Sequence, residues 1–310
     1  MVRRVRAFGP ASIANAVAGF DVLGFALDEP GDVVICSLSE KAGIRIAPMT
    51  GAFQDLPTDP DKNTAGVAVQ SLLKKHGIVQ GIEIEIQKGV PIMGGMGSSA
   101  SSASAALVAV NELLELKCTK MDLLPFILDS ERAATGVPHA DNAAPSLLGG
   151  FNLIQSLEPL QVLALDIPPN IFCSVVHPHM YIKTRDAREI LPHSIPMAVA
   201  TKQMGHIAGF IAGMQTGDLD IIKRSLVDEL AEPHRSKLIP GYWEVKQATE
   251  EAGALGCGIS GSGPSMFALS QSEEIAKQVA LSMQKAFSVA GLKSDLYISG
   301  ISKLGARILD

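Results

Sequence analysis

The order of apolar segments in this chain predicts an α+β fold. Strand-like and helix-like segments follow one another without the regular repetition of a doubly wound sheet, and the sequence contains no internal repeat. The chain has 310 residues, which is more than one hydrophobic core usually serves, so we expect two domains. Prolines and an asparagine between 159 and 170 mark the boundary, which gives domains of residues 1–160 and 161–310.

Short strands and one helix are predicted in the first part of the chain. Residues 33–36 (Val-Val-Ile-Cys) and 44–46 (Ile-Arg-Ile) look like strands bracketed by Gly31, Glu40 and Gly43. Residues 82–86 alternate isoleucine with glutamate, which is the period of a strand with one buried face. Between these strands, residues 63–75 carry apolar side chains at helical spacing, and Gly77 supplies a stop signal.

The most unusual segment, residues 91–103, combines three glycines with four serines. It lies between an alternating strand and an alanine-rich helical pattern, which indicates a structured loop rather than a linker. Such a turn directs backbone N–H groups towards one point at the positive end of a helix dipole, and this suits a phosphate group. The sequence contains no Gly-Lys pair, which a P-loop needs, and the glycines of this segment, at 94, 95 and 97, do not have the G-x-G-x-x-G spacing. A tight turn packed with small residues is the alternative.

The later segments continue the mixed order. A second glycine- and proline-rich passage, residues 136–145, is predicted as a loop before a strand at 151–154. The glycine cluster at 256–263 is either a second anion-binding loop or a tight turn before a strand at 265–269. Beyond the boundary, the other predicted elements are a strand at 171–176, helices at 201–215, 218–230, 243–253 and 272–290, and two short final strands.

Composition and charge exclude several classes of function. The net charge is −6, and the only basic cluster is a short one at residues 3–6, so we expect no nucleic-acid partner. The four cysteines lack the close spacing of zinc sites and disulfide frameworks. No apolar run is long enough to span a membrane, and charge directly after the first residues is unlike a signal peptide. We therefore expect a cytoplasmic protein with no membrane partner.

Several polar residues stand in apolar or small-residue surroundings and are candidate site residues. Asn15 and Asp21 flank a run of small and apolar residues, and Asp141 and Asn142 lie among alanine and proline. Arginine offers a planar fork that can hold a carboxylate. For each residue alone, a helix cap, a solvated turn or ordinary surface charge is the alternative. The basic candidates are Lys183, Arg185, Arg188 and Arg235.

Three motifs in order resemble those of the GHMP kinase superfamily, named for galactokinase, homoserine kinase, mevalonate kinase and phosphomevalonate kinase. Residues 91–100 match the central motif Pro-x-x-x-Gly-Leu-Gly-Ser-Ser-Ala, with Met96 in place of the leucine. Residues 10–21 match the N-terminal motif, and residues 258–264 match the C-terminal one. Within the superfamily the chain is most similar to the homoserine kinases, through residues 19–24, 62–65, 139–142, 183–188 and 232–235.

The resemblance implies a two-domain fold, with an N-terminal domain like domain 2 of ribosomal protein S5 and a ferredoxin-like C-terminal domain. It implies transfer of the ATP γ-phosphoryl group, with Mg²⁺, to the side-chain hydroxyl of L-homoserine. The product, O-phospho-L-homoserine, lies on the route to threonine, and a homodimer is also implied. A kinase for mevalonate, shikimate or a sugar is one alternative, and a non-catalytic sensor of small molecules is another.

The resemblance also implies a role for each matching residue. Asp141 is expected to face the reacting hydroxyl, either as a base or only to position it, and the 91–101 loop is expected to be mobile without nucleotide. The residues implied are Asn63, Thr64, Pro91, Gly94, Gly95, Met96, Gly97, Ser98, Ser99, Ala100 and Ser101 for ATP; Ser99 and Glu131 for Mg²⁺; Asn15, Asp21, Asp141, Arg185, Arg235 and Gly261 for the amino acid; and Asp141, Asn142 and Arg185 for catalysis.

Overall fold

Two β-sheets organise residues 3–310, the residues that this computed structural model describes. The strands are β1 (Arg4–Ala14), β2 (Leu23–Ser39), β3 (Ile44–Ile46), β4 (Thr50–Gly51), β5 (Gly81–Lys88), β6 (Phe151–Leu157), β7 (Leu160–Leu165), β8 (Phe172–Pro178), β9 (Gly256–Ile259), β10 (Met266–Ser270), β11 (Ser294–Gly300) and β12 (Arg307–Leu309). The helices are α1 (Thr64–Lys75), α2 (Ser98–Leu113), α3 (Lys120–Thr135), α4 (Ala140–Leu148), α5 (Thr184–Glu189), α6 (Met197–Thr216), α7 (Leu219–Ser225), α8 (Glu232–Arg235), α9 (Tyr242–Glu251) and α10 (Glu273–Val289).

The topology confirms the α+β prediction. The first sheet has the order β12-β1-β2-β5-β3, with β6 beside β2, β7 beside β6 and β4 beside β5. Only β3 and β4 run parallel to a neighbour, namely β5. The second sheet is antiparallel with the order β11-β8-β10-β9. Neither sheet is assembled from repeated parallel strand–helix–strand units.

The chain passes between the sheets a little after the proposed boundary at residue 160. β7 still pairs with β6 in the first sheet, and the chain enters the second sheet at β8. β12 then returns to pair with β1. We call the first sheet with α1–α4 the first lobe, and the second sheet with α5–α10 the second lobe.

The two lobes share an apolar core. Phe25 of β2 stacks on Phe151 of β6 with ring centroids 5.0 Å apart, and it meets Phe267 of β10 edge-on at 5.8 Å. Phe210 of α6 packs on Phe151 at 5.5 Å. All four rings are fully buried, so the aromatic cluster joins both sheets and one helix into a single packed unit. A cavity at the boundary between the lobes therefore has walls of fixed relative position.

A buried ion pair lies where β2 and β5 approach α2. Lys88 continues the inward-facing positions of β5, and Asp32 continues those of β2, so both charged side chains point into the protein. The Lys88 ammonium donates to Asp32, to the carbonyl of Ser98 and to the hydroxyl of Ser102. Asp32 also accepts from two backbone N–H groups of residues 89–90. Burial lowers the pKa of Lys88 and the Asp32 carboxylate opposes that change.

Most predicted elements are confirmed, and four are wrong in part. The segment predicted as a loop at 91–103 is helical from Ser98 onward, and the first residues of the 256–263 cluster form strand β9. The passage at 136–145 is not all loop, because α4 begins at Ala140 and includes Pro145. Its buried residues Ala140, Ala143 and Leu147 have helical spacing, and packing on the first sheet outweighs the proline. The helix predicted for 218–230 ends at Ser225.

All four cysteines, which lie within the described residues, are free thiols. Across residues 3–310, no helix has both the length and the apolar character needed to cross a bilayer.

We predict that Lys88→Met lowers the free energy of unfolding by about 3–5 kcal/mol, because it leaves the Asp32 carboxylate buried without its counter-charge. Urea denaturation measures the change. Arg4→Met is the matched control, since Arg4 and its partner Glu85 are half exposed and such pairs contribute at most about 1 kcal/mol. Equal losses for the two variants would contradict a special role for the buried pair.

Candidate active site

A cavity of about 290 Å³ opens between the two lobes. The first lobe contributes the loop before α2, the inner side of α3 and the start of α4. The second lobe contributes α5, α8 and the turn between β9 and β10. The cavity has one end rich in backbone N–H groups and another rich in charged side chains, and these ends are described in turn.

The first end is the glycine-rich loop and the N-terminus of α2. Gly97 is the N-cap residue and has a φ of +65°, a left-handed conformation that favours glycine. No side chain caps α2, so its first N–H groups remain free to donate to a ligand. Gly94, Ser98 and Ser99 line the cavity at this point. With the helix dipole behind them, these donors form a site for an anion such as phosphate.

Beside that loop, two oxygen-bearing side chains from different helices meet, Ser99 of α2 and Glu131 of α3. The Ser99 hydroxyl donates to Oε1 of Glu131, and Oε2 of Glu131 lies 3.3 Å from Nδ1 of His139. The Glu131 side chain is only 5% exposed. Burial lowers the pKa of His139, but the Glu131 hydrogen bond and the negative charges of Glu131 and Asp141 raise it more, so the net shift is upward. Within the described residues, no group of three or more histidine, cysteine or acidic side chains has an arrangement that could hold a metal ion.

The other end holds an arginine–aspartate pair. Arg188 of α5 donates to both carboxylate oxygens of Asp21, at 3.0 and 2.6 Å. Asp21 has a φ of +59°, and Asn15 holds this turn by accepting from the Asp21 N–H. The side chains of the pair are each about one-third exposed towards the cavity. Their charges are therefore accessible to a ligand that carries both signs.

Arg235 of α8 lies beside this pair in a rigid setting. Its Nε donates to the carbonyl of Ala187 at 3.0 Å, and Nη1 donates to the carbonyl of Gly261 at 2.9 Å. The guanidinium groups of Arg188 and Arg235 both lie over the ring of Phe20, at 5.6 and 5.3 Å. The ring fixes the orientation of two positive groups at one end of the cavity.

Between the two ends lie Asp141 and Asn142, in the first turn of α4. Asp141 is buried, and this burial, together with the charge of Asp21, raises the pKa of its carboxyl to about 7. Asn142 accepts a 2.9 Å hydrogen bond from Ser12 through its side-chain oxygen. A carboxyl group whose pKa is raised to about 7 thus lines the cavity within electrostatic range of Glu131 at one end and Asp21 at the other.

The structure brings most of the residues suggested by the sequence to this cavity. Asn63 lines it and also caps α1, with its side-chain oxygen accepting from the N–H of Ala65. The lining residues among those suggested are Asn15, Asp21, Asn63, Thr64, Gly94, Gly95, Gly97, Ser98, Ser99, Glu131, Asp141, Asn142, Arg235 and Gly261.

Five of the suggested residues do not line the cavity. Arg185 is on the outer side of α5, with its side chain 81% exposed and bonded to Glu189, so the structure does not bring it to the cavity, which Arg188 of the same helix lines instead. Ser101 donates to the carbonyl of Gly9 and is buried beneath the loop. The other three, Pro91, Met96 and Ala100, are buried supports of the loop.

Several lining residues, among them Arg188 and His139, were not assigned a specific role from the sequence. Arg188 was one of several basic candidates, and His139 appeared only within a motif. The signal for Arg188 was its place one helical turn after Thr184, which also lines the cavity. Its partner Asp21 is 167 residues away, which no local pattern reveals.

Comparison with known proteins gives a consistent result along the whole chain. The family model described as GHMP kinases N terminal domain matches residues 63–150, and that described as GHMP kinases C terminal matches residues 210–289. The homoserine kinase of Chlorobium phaeobacteroides is 47% identical, over 99% of this chain and 100% of the relative. That of Chlorobaculum tepidum is also 47% identical, over 99% of each chain.

Solved structures agree with these relatives. The crystal structure of homoserine kinase from Cytophaga hutchinsonii superposes with a TM-score of 0.95 at 46% identity, covering 99% of this chain and 97% of that one. The crystal structure of L. major mevalonate kinase in complex with R-mevalonate has a TM-score of 0.72 at 16% identity, covering 97% of each chain, and shares the fold alone.

Proposed function

The chain belongs to the homoserine kinases, a family of GHMP kinases, and we propose that it transfers the ATP γ-phosphoryl group to the side-chain hydroxyl of L-homoserine. The product would be O-phospho-L-homoserine, on the route to threonine. The observation that carries the proposal is the cavity itself, with an anion site at one end and paired opposite charges at the other. The charge of a polyphosphate is complementary to the anion site, and the two charges of a zwitterionic amino acid are complementary to the paired charges at the other end.

The phosphates of ATP are proposed to bind the N–H groups of the 94–99 loop. This loop needs no lysine, because several N–H donors and the dipole of α2 together offset the negative charge. Asn63 and Thr64 lie at the same side of the cavity and would border the adenine and ribose. Thr64 donates to the carbonyl of Ser99 at 3.4 Å, so the start of α1 directly contacts the first turn of α2.

Mg²⁺ would be held by Ser99 and Glu131. Mg²⁺ prefers oxygen ligands and keeps waters and substrate phosphates in its shell, so two protein oxygens beside a phosphate site fit it. The contact between the Ser99 hydroxyl and the buried Glu131 carboxylate shows that both oxygens reach one point. When bound, the cation would offset phosphate charge during transfer.

L-Homoserine is proposed to bind at the charged end. Its carboxylate would accept hydrogen bonds from Arg188 and Arg235, and its ammonium would face Asp21. In the structure Arg188 and Asp21 satisfy each other, so the substrate would replace each partner with a group of the same charge. Neither charge is then left unpaired in the occupied cavity.

Asp141 and Asn142 would face the reacting hydroxyl between the two ends. Phosphoryl transfer depends chiefly on positioning and on stabilising charge, so a strong base is not required. Asp141 in its carboxylate form can accept the hydroxyl hydrogen bond and orient the oxygen towards the γ-phosphorus. Asn142 is held by Ser12 and would fix the same group from a second side.

We also propose that the enzyme acts as a homodimer in the cytoplasm, as the resemblance to homoserine kinases implies. Exposed Met197 and Met204 on α6 give that helix an apolar outer face, which supports an association between copies.

The function is tested by ADP release from ATP, Mg²⁺ and L-homoserine with two arginine variants. We expect turnover by the unaltered protein and a 10- to 100-fold fall in kcat/KM for Arg188→Ala, about what losing charged hydrogen bonds costs. Arg185→Ala is the matched control on the same helix, with a change below about twofold. Similar losses for both variants would contradict the assignment, and no turnover would contradict the function.

The role of Asp141 predicts a pH dependence. Since its pKa is raised to about 7, the carboxylate form accumulates as pH rises through 7, and kcat/KM for L-homoserine should rise with it. Asp141→Asn should remove this rise and lower kcat about 10- to 100-fold, less than full loss of an essential base. A variant that falls to the uncatalysed rate while still binding homoserine would show that Asp141 is an obligatory base.

A further inference from the structure

The turn between β9 and β10 contacts both ends of the cavity. On the nucleotide side, the Ser260 hydroxyl donates to the carbonyl of Gly95 at 2.7 Å. On the amino-acid side, the carbonyl of Gly261 accepts from Arg235 and from Asn15, both at 2.9 Å. Ser260 is fully buried and does not line the cavity, so these contacts reach the substrates only through other residues.

The same turn fixes the peptide planes of the phosphate-binding loop. A trans peptide group has its C=O and N–H on opposite sides, so a bonded carbonyl sets the direction of the next N–H. Ser260 holds the carbonyl of Gly95, and the N–H of Ser265 donates to the carbonyl of Gly94 at 3.3 Å. The N–H groups that follow are thereby directed away from the second lobe.

The loop and the turn between β9 and β10 pack closely around this contact. A methyl group on Gly95 would overlap the carbonyl oxygen of Ser260, so the two backbones are in direct contact. The ring of His177 in β8 lies beside Gly94, and its Nδ1 is 3.0 Å from the hydroxyl oxygen of Ser265. The loop is thus held from the second lobe at two consecutive carbonyls.

We propose that Ser260 is a positioning residue for ATP, which acts by holding the loop in its binding conformation before the nucleotide arrives. The proposal rests on the assignment of the loop to the ATP phosphates. Without the Ser260 hydroxyl, the loop populates other conformations, and ATP binding must first restore the competent one. Once ATP is bound the loop is ordered again, so the effect falls on affinity rather than on the transfer step.

The experiment compares Ser260→Ala with Ser174→Ala in the full chain. Ser174 is a matched control, because it is also fully buried in the second lobe and donates to a backbone carbonyl, that of Ala276, at 2.6 Å. The two variants therefore lose the same kind of hydrogen bond, one at the loop and one away from the cavity. Steady-state kinetics and hydrogen–deuterium exchange are measured for both.

For Ser260→Ala we expect the KM for ATP to rise about 5- to 10-fold, the cost of roughly one hydrogen bond. The kcat and the KM for L-homoserine should change less than about twofold. Exchange at residues 94–99 without nucleotide should be faster than in the unaltered protein. For Ser174→Ala, the KM for ATP and the loop exchange should be unchanged, although the melting temperature falls. If Ser260→Ala is not recovered folded, Ser260→Cys fills the same space with a weak donor and carries the same expectation.

Several results would contradict different parts of this proposal. If Ser260→Ala keeps the loop exchange and KM of the unaltered protein, or if Ser174→Ala raises the KM equally, the positioning role is wrong. If ATP with Mg²⁺ gives no protection of residues 94–99 in the unaltered protein, the assignment of the loop to nucleotide is wrong instead. A loop that already exchanges freely in the unaltered protein would support mobility before binding and would contradict the preformed loop.

Discussion

The site depends on one constraint, which is that the backbone of the phosphate-binding loop must have hydrogen-bond partners on the side away from the cavity. Buried peptide groups need partners, so N–H donors can be left free for a ligand only where the carbonyls are bonded elsewhere. In the first lobe, Lys88 donates to the carbonyl of Ser98, and the N–H of Ser12 donates to the carbonyl of Met96. In the second lobe, the N–H of Ser265 donates to the carbonyl of Gly94, and the hydroxyl of Ser260 donates to the carbonyl of Gly95.

This constraint explains why the cavity lies at the boundary of the lobes. The loop needs partners from both, and the phenylalanine cluster centred on Phe25 and Phe151 fixes one lobe relative to the other. The charged end of the cavity depends on the same boundary, because Asp21 comes from the first lobe and Arg188 and Arg235 from the second. A change in lobe packing would therefore alter both ends together.

Much of this could be predicted from the sequence, because the motifs are local. The loop at 91–101 and the strand at 82–86 are each recognised from consecutive residues. The alternation of the strand also places Lys88 on its inward face. What the sequence could not show were partners distant along the chain. Arg185 and Arg188 are equivalent by residue type, and only the fold reveals that Arg188 meets Asp21.

The most direct test of the central claim is ADP release by the purified protein with ATP and Mg²⁺, supplied in turn with L-homoserine, mevalonate, shikimate and galactose. The account predicts strong turnover with L-homoserine alone, since only this acceptor carries both a carboxylate for the two arginines and an ammonium for Asp21. Comparable turnover with mevalonate or shikimate would contradict the assignment of Asp21, and turnover with galactose would contradict the whole charged end. No turnover with any of the four would contradict the assignment to L-homoserine and would favour a different acceptor or a sensor of small molecules.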